Sequence, residues 1–274
     1  MTNRIPISYP VCLFGERVVV HTRIFDVIAS HVPHDARIED VCIGIFWTFV
    51  RTQYGAAISA TAHRWLEDPP GVLIPNAGSL VGSYVKEMIE LYDAPSLTAR
   101  ALANAAVSAS FSVDSMTGQR HEDKAQHLLE SICASSSERK RIALIGHFHF
   151  ADALRELGHQ LDIYELENRC GPEDMPSTLI PERLPCADIV VMTSSTLITH
   201  ATEEILSCCR PDAFKMIVGP TVPLHPALWD FGFDAICGNA VTDAAQVSRA
   251  AREGGNHRQL TGCQKINFIK PSMA

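Results

Sequence analysis

The run Arg141-Ile-Ala-Leu-Ile-Gly146-His147-Phe148-His149-Phe150, continued by Ala151-Asp-Ala-Leu-Arg-Glu-Leu-Gly158, decides the fold class. A basic residue leads into an unbroken apolar strand, a glycine turn follows, and a short helical pattern closes on a second glycine. Gln160-Leu-Asp-Ile-Tyr-Glu165 is then another short strand, ending on an acid. Strand, glycine turn, helix and strand are the parts of a βαβ unit with a ligand loop after its first strand.

Downstream the alternation continues. A long loop through Cys170-Gly-Pro-Glu-Asp-Met-Pro176 leads to a third strand over residues 187–193, and a helix is expected over 200–209. A fourth strand, 214–218, ends at Gly219-Pro220-Thr221. A fifth covers 234–237, a last helix 242–252, and the tail 265–270 can add an edge strand. Short apolar strands separated by helices predict a doubly wound parallel sheet with helices on both faces.

Upstream the grammar differs. The spacing predicts a helix over 22–32, a strand over 41–50 and a return strand over 56–60. Asn76-Ala-Gly78-Ser79 precedes an amphipathic pattern with Val81, Tyr84, Val85, Met88, Ile89 and Tyr92 on one face, for which Ser79 is the candidate N-cap. Pro95-Ser96 starts an alanine-rich helix to about residue 110. A polar stretch, 112–120, and a helix bearing Ala125, Leu128, Leu129, Ile132 and Cys133 complete an α+β half. The serine run and charges of Ala134-Ser-Ser-Ser-Glu-Arg-Lys-Arg141 mark the linker, so the expected domains are 1–134 and 135–274.

The chain has 274 residues, 46% of them apolar and 20% charged, the composition of a globular protein with cores that need no staples. Lys and Arg total 23 against 31 Asp and Glu, a formal charge of −8, which argues against nucleic acid and anionic membrane as partners. The N-terminus lacks an apolar signal region, and the longest apolar stretch falls short of the ~20 residues of a membrane helix. Nine cysteines without a Cys-x-x-Cys pair read as cytoplasmic thiols, mostly small core residues.

In a doubly wound sheet the ligand sits beyond the carboxyl ends of the strands, where strand order reverses. With the order 3-2-1-4-5, that point lies between strands one and four. Its walls would be Gly146, His147 and His149 on one side and Gly219, Pro220 and Thr221 on the other. Thr193, Ser194, Ser195 and Thr196 lie beside them, and Asn76 and Ser79 reach in from the first half. Glu165 ends the second strand 19 residues after Gly146, where dinucleotide folds hold a ribose hydroxyl. The second glycine of a pyrophosphate loop is missing, since the chain reads Gly146-His-Phe-His-Phe-Ala151. That argues against NAD and leaves an adenosyl ligand without pyrophosphate. His147 and His149, two apart on extended backbone, can face one side as acid or base. With a third donor from Cys170, His200 or His225 they can hold a divalent metal.

Ala187-Asp-Ile-Val-Val-Met-Thr-Ser-Ser-Thr-Leu-Ile198, Val218-Gly-Pro-Thr-Val-Pro-Leu-His-Pro226, Phe231-Gly-Phe-Asp-Ala-Ile-Cys-Gly238 and Val241-Thr-Asp243 resemble a bacterial and archaeal heavy-metal-chelation family. Ile43-Gly-Ile-Phe-Trp-Thr-Phe-Val-Arg51 and Ala77-Gly-Ser-Leu-Val-Gly82 look like its companion N-terminal domain. The resemblance implies an enolase-N-terminal-like α+β domain followed by a Rossmann-like domain, with the site in the cleft between them. One departure stands out: the family pattern reads Asn-Gly-Thr where this chain has Thr199-His200-Ala201.

The expected function is therefore a cytoplasmic protein binding a small molecule, metal ion or metal chelate in an interdomain cleft. The alternative is an enzyme of small-molecule metabolism using S-adenosylmethionine against Glu165, with His147 or His149 as acid or base. A regulatory, partner-binding module is the third reading, and nothing in the sequence speaks against a homo-oligomer.

Overall fold

A computed structural model describes residues 23–61, 68–122, 124–135 and 138–271. The first half opens with α1 (Ile24–Ala29); position 22 of the expected helix lies outside the described residues. Three antiparallel strands follow, β1 (Ile38–Ile43), β2 (Trp47–Thr52) and β3 (Ala56–Ala60), in the order β1-β2-β3. The single strand expected over 41–50 is thus two. Gly44 turns the chain with its N–H donating to the Trp47 carbonyl, at a point where a Cβ would stand 2.3 Å from the Ala251 carbonyl oxygen.

The amphipathic pattern after Ser79 starts its helix late, as α2 (Val85–Ile89) with Tyr84 at the N-cap. Ser79 caps nothing. Gly82 is left-handed at φ +90°, its N–H donates to the Ile38 carbonyl, and the Ile38 N–H donates to Ser83. Backbone pairing with residues 36–38 takes the segment that periodicity assigned to a first turn, and Val81 is exposed. By contrast α3 (Leu97–Ser108) begins where Ser96 predicts, the Ser96 hydroxyl accepting the Ala99 N–H at 3.1 Å. Its buried alanines 99, 101, 103, 105 and 106 let neighbouring elements approach its backbone closely.

The second half is an eight-stranded sheet. Its members are β4 (Gln119–His121), β5 (Arg141–Ile145), β6 (Gln160–Glu165), β7 (Met175–Pro176), β8 (Ile189–Thr193), β9 (Phe214–Val218), β10 (Ala235–Val241) and β11 (Cys263–Ile269). Their order is β4-β11-β10-β9-β8-β5-β6-β7. The six strands β10, β9, β8, β5, β6 and β7 pair in parallel in that order, and β11 pairs antiparallel with both β10 and β4. The five main parallel strands therefore run 2-1-3-4-5, not 3-2-1-4-5. The far edge of β6 is taken by Met175-Pro176, where proline has no N–H to extend the ladder, so the third strand pairs with the first. The tail strand is internal too, because Gln119–His121 covers it.

Helices α4 (Ala125–Ala134), α5 (Ala151–Glu156), α6 (Ile180–Arg183), α7 (Ser195–Ile198), α8 (Thr202–Cys208) and α9 (Ala244–Arg252) surround this sheet. Leu129 and Cys133 of α4 pack with Ile142 and Leu144 of β5, so β4 and α4 belong physically to the second half. The layer changes before residue 119, upstream of the serine run, of which Ser136 and Ser137 lie outside the described residues. The helix expected over 200–209 forms as α8, starting at Thr202; a short α7 precedes it, and His200 lies between the two at φ +60°. No helix of the described residues is long and apolar enough to cross a membrane. None of the eight described cysteines is in a disulfide, but only Cys42, Cys133 and Cys237 are buried, fewer than the sequence reading expects.

The two halves share one apolar core, in which Leu102, Ala106 and Tyr92 join Ile145, Leu197 and Ile217. Polar bonds stitch the same seam. Thr221, 1% exposed, accepts the Ala60 N–H on its hydroxyl at 2.9 Å and the Asn104 amide on its carbonyl at 2.8 Å. The Tyr92 hydroxyl donates to the Leu197 carbonyl, and Glu203 accepts the Ile24 N–H. His225 is buried against His31 and Phe111, its Nδ1 accepting the Ala227 N–H.

Two outcomes follow from this seam. Thr221→Val and Asn104→Ala each strand a buried partner, so each should lower stability in urea by about 1–3 kcal/mol, and the double variant by less than the sum. Burial, and then the nearby His31, depress the His225 pKa to about 4. The unfolded chain, titrating near 6.5, therefore binds the proton first as pH falls. Stability from this group is complete above about pH 6.5 and is lost toward pH 4, on the order of 3 kcal/mol in all, a loss that His225→Asn should remove from denaturation midpoints measured across that range.

Candidate functional site

With strand order 2-1-3-4-5, the reversal falls between β5 and β8, and a cavity of about 580 Å³ opens there at the carboxyl ends of the strands. Gly146, His147, Thr193, Ser195 and Thr196 line it from the two switch-point loops, and Glu165 lines it from the end of β6. Apolar walls come from Ile145, Leu166, Ile180, Pro181 and Ile205. Gly146 is left-handed at φ +93°, and a Cβ there would stand 3.1 Å from the Thr193 methyl, so the loop passes close to β8 only as glycine.

The polar end of the cavity is built on His147. Its Nδ1 lies 3.3 Å from Glu165 Oε2, and its Nε2 lies 2.9 Å from Asp174 Oδ2. Both carboxylates are withdrawn from solvent, at 7% and 5% side-chain exposure, whereas the imidazole is 47% exposed. Glu165 Oε1 accepts the Leu166 N–H at 2.9 Å, and Arg169 stands 3.7 Å from Oε2. Burial raises the Asp174 carboxyl, but the Gly171 N–H and His147 outweigh it and hold the group below its ordinary value. An imidazole flanked by two acceptors can hold a proton toward either one.

His149 does not join this group. It is exposed, outside the cavity lining, with its edge against Phe150 at 5.5 Å. Partial burial first, then Lys265, His257 and Lys124, lower its pKa. The paired-histidine expectation fails because Phe150 begins the helical turn, and the backbone between the two histidines is not the extended strand that alternation requires.

The Gly219-Pro220-Thr221 loop, expected as a cavity wall, is also elsewhere. Gly219 has φ +138°, and a Cβ there would overlap the Ser194 hydroxyl at 2.3 Å. Ser194 is buried beneath the lining and accepts the Thr221 N–H at 3.2 Å. These residues join the halves, with half-buried Pro220 between Gly219 and Thr221. Asn76 and Ser79 are exposed in a turn of their own, the Asn76 carbonyl accepting the Ser79 N–H, and neither lines the cavity. The lining residues all fall between Ile145 and Cys208, so the cavity belongs to the second half. This cavity is therefore not the interdomain cleft expected from sequence, and elsewhere the two halves join in a shared apolar core.

Of the three further donors considered for a metal, Cys170 lies beside Glu165, its thiol donating to the Glu165 carbonyl at 3.5 Å. Burial, then Asp174 and Glu165, raise the Cys170 pKa and disfavour a thiolate. His200 and His225 sit in the seam, away from His147. Among the described residues no three His, Cys, Asp or Glu side chains converge on a point that could hold a metal ion, so this donor set does not fit an ion chelated by protein alone. Sequence reasoning missed Asp174, Arg169 and Glu204. The one available signal for Asp174 was an acid three residues after Gly171 in a proline-bounded loop, the spacing at which it accepts the Gly171 N–H.

No curated protein matches the chain in sequence. A family model described as "Putative heavy-metal chelation" matches residues 129–270, and a companion model of the same description matches residues 25–111. Among solved structures, a DUF364-family protein of unknown function from Desulfitobacterium hafniense DCB-2 is similar at a TM-score of 0.73 and 19% identity, covering 90% of this chain and 97% of that one. Another, from Pyrococcus horikoshii, has a TM-score of 0.74 and 17% identity, covering 90% and 98%. At these identities the likeness is one of mixed α/β fold. With the first model spanning just over half of its length, the chain belongs to the DUF364 family, described as putative heavy-metal chelation.

Proposed function

We propose that the protein binds a small organic molecule in the cavity between β5 and β8, and that a metal reaches it within an organic chelate. The observation that carries this reading is the cavity itself: about 580 Å³, walled by apolar side chains and polar at the His147–Glu165 end. That is the size and lining of a small-molecule site, in which a few placed polar groups orient the ligand. The family's description supports a metal in the ligand, and the lack of three convergent protein donors among the described residues favours a chelate over a bare ion.

A second reading, an adenosyl ligand such as S-adenosylmethionine, is favoured by Glu165. It ends the second strand of the unit, is 7% exposed and lines the cavity, so its carboxylate can accept a hydrogen bond from a ribose hydroxyl. His147 would then lie next to that hydroxyl, as the group able to give or take a proton there.

Calorimetric titration separates these readings. Nickel nitrilotriacetate should bind at one equivalent while nickel ion alone does not, and Glu165→Gln or His147→Ala should weaken binding by about tenfold or more, the loss of one charge-assisted contact. Saturable binding of S-adenosylmethionine and not of the chelate would favour the adenosyl reading. Tight stoichiometric binding of nickel ion alone, unaffected by either variant, would overturn both.

A further inference from the structure

His200 carries two local costs at once. Its φ of +60° is left-handed, shared among the described non-glycine residues only by Asn76, and residues other than glycine are strained in such a backbone. Its Nε2 is buried without a hydrogen-bond partner, while the ring's other nitrogen donates to the Tyr92 carbonyl. An unpaired buried polar atom on a strained backbone is stable only because its surroundings hold it.

Those surroundings lie directly behind the cavity. Thr199 and Ala201, on either side of His200, both line it, and the His200 ring points away into the seam, 4.6 Å from the Tyr92 ring. The charged groups around the ring are already engaged. Arg23 is paired with Asp26 and Asp93, Arg100 donates to the Ala94 and Ile198 carbonyls, and Glu203 accepts the Ile24 N–H. Asp93 favours an imidazolium there, but it is already paired with Arg23, and the two guanidinium groups repel one. Burial first, then Arg100 and Arg23, depress the His200 pKa.

We propose that the turn joining α7 to α8 is an acid-released latch: protonation expels the His200 ring from the seam and frees Thr199 and Ala201 from the cavity wall. In the latched state the ring is neutral, and its Nε2 lacks only a donor. A proton on Nε2 would add a buried, unaccepted N–H and a charge beside Arg23 and Arg100. Released into water, the ring titrates near its ordinary value of about 6.5. The latch is therefore closed above that pH and loosens as pH falls below it, with access to the cavity as the consequence. The proposal uses the cavity reading only for that consequence, and its test needs no ligand.

Hydrogen–deuterium exchange, corrected for the intrinsic pH dependence, should show protection across residues 196–208 falling by about tenfold between pH 7.5 and 5.5, the effect of one pK unit of linkage. The peptide over β5 should stay protected. His200→Gly and His200→Asn both suit a left-handed backbone and neither titrates in this range, so both should fold and show flat protection. Wild-type protection that does not change with pH, a fall shared by β5, or an equal fall in the two variants would each overturn the latch. Failure of chelate or adenosyl binding would leave this result untouched.

Discussion

Everything that positions the cavity depends on one close approach, the passage of Gly219 over the Ser194 hydroxyl. A Cβ at Gly219 would stand 2.3 Å from that oxygen, so only a bare backbone lets the loop after β9 settle onto the loop after β8. Ser194 then accepts the Thr221 N–H, and Thr221 turns its remaining polar atoms to Ala60 and Asn104 of the other half. The Gly219-Pro220-Thr221 loop thus works as a joint. It seals the seam with satisfied polar groups and leaves the neighbouring Thr193, Ser195 and Thr196 free to face the cavity.

The chemistry at the cavity follows from how few charges it contains and how they are held. Glu165 and Asp174 are both shielded from water, and a single imidazole bridges them. Taking two carboxylates out of solvent is unfavourable unless donors compensate, and here the Leu166 and Gly171 backbone N–H groups, His147 and Arg169 do so. The result is a fixed polar patch facing an otherwise apolar wall. It suits the orientation of an organic ligand better than encirclement of an ion, because its donors are already turned toward one another.

Another part of the cavity wall is the turn between α7 and α8, which supplies Thr199 and Ala201. Helices α7 and α8 meet at His200, where the chain has a left-handed turn without glycine and a buried ring nitrogen without a partner. Thr202 and Thr196 share a hydroxyl bond at 2.8 Å, and Thr196 donates back to the Thr193 carbonyl, so the ends of the turn are tied while its middle is strained. The departure at 199–201 from the pattern that the family resemblance implies falls on this one turn, and the glycine so implied coincides with the residue whose φ a glycine adopts freely.

By itself the sequence determined the main strands and helices of the second half, the placement of Gly146 and Glu165 at strand ends that line the cavity, and the start of α3 at Ser96. Each is a local property: a fully buried strand must be apolar, a left-handed turn prefers glycine, and a first helical turn wants a hydroxyl acceptor. Tertiary structure alone decided the strand order, because a right-handed crossover can deposit the third strand beside either neighbour, and the choice rests on Pro176 ending the sheet beyond β6. It likewise decided that His147 and His149 part company, that Ser79 caps nothing, and that Thr221 joins the halves instead of lining a cleft. These outcomes depend on which distant backbone group meets each residue, and periodicity along the chain carries no record of that.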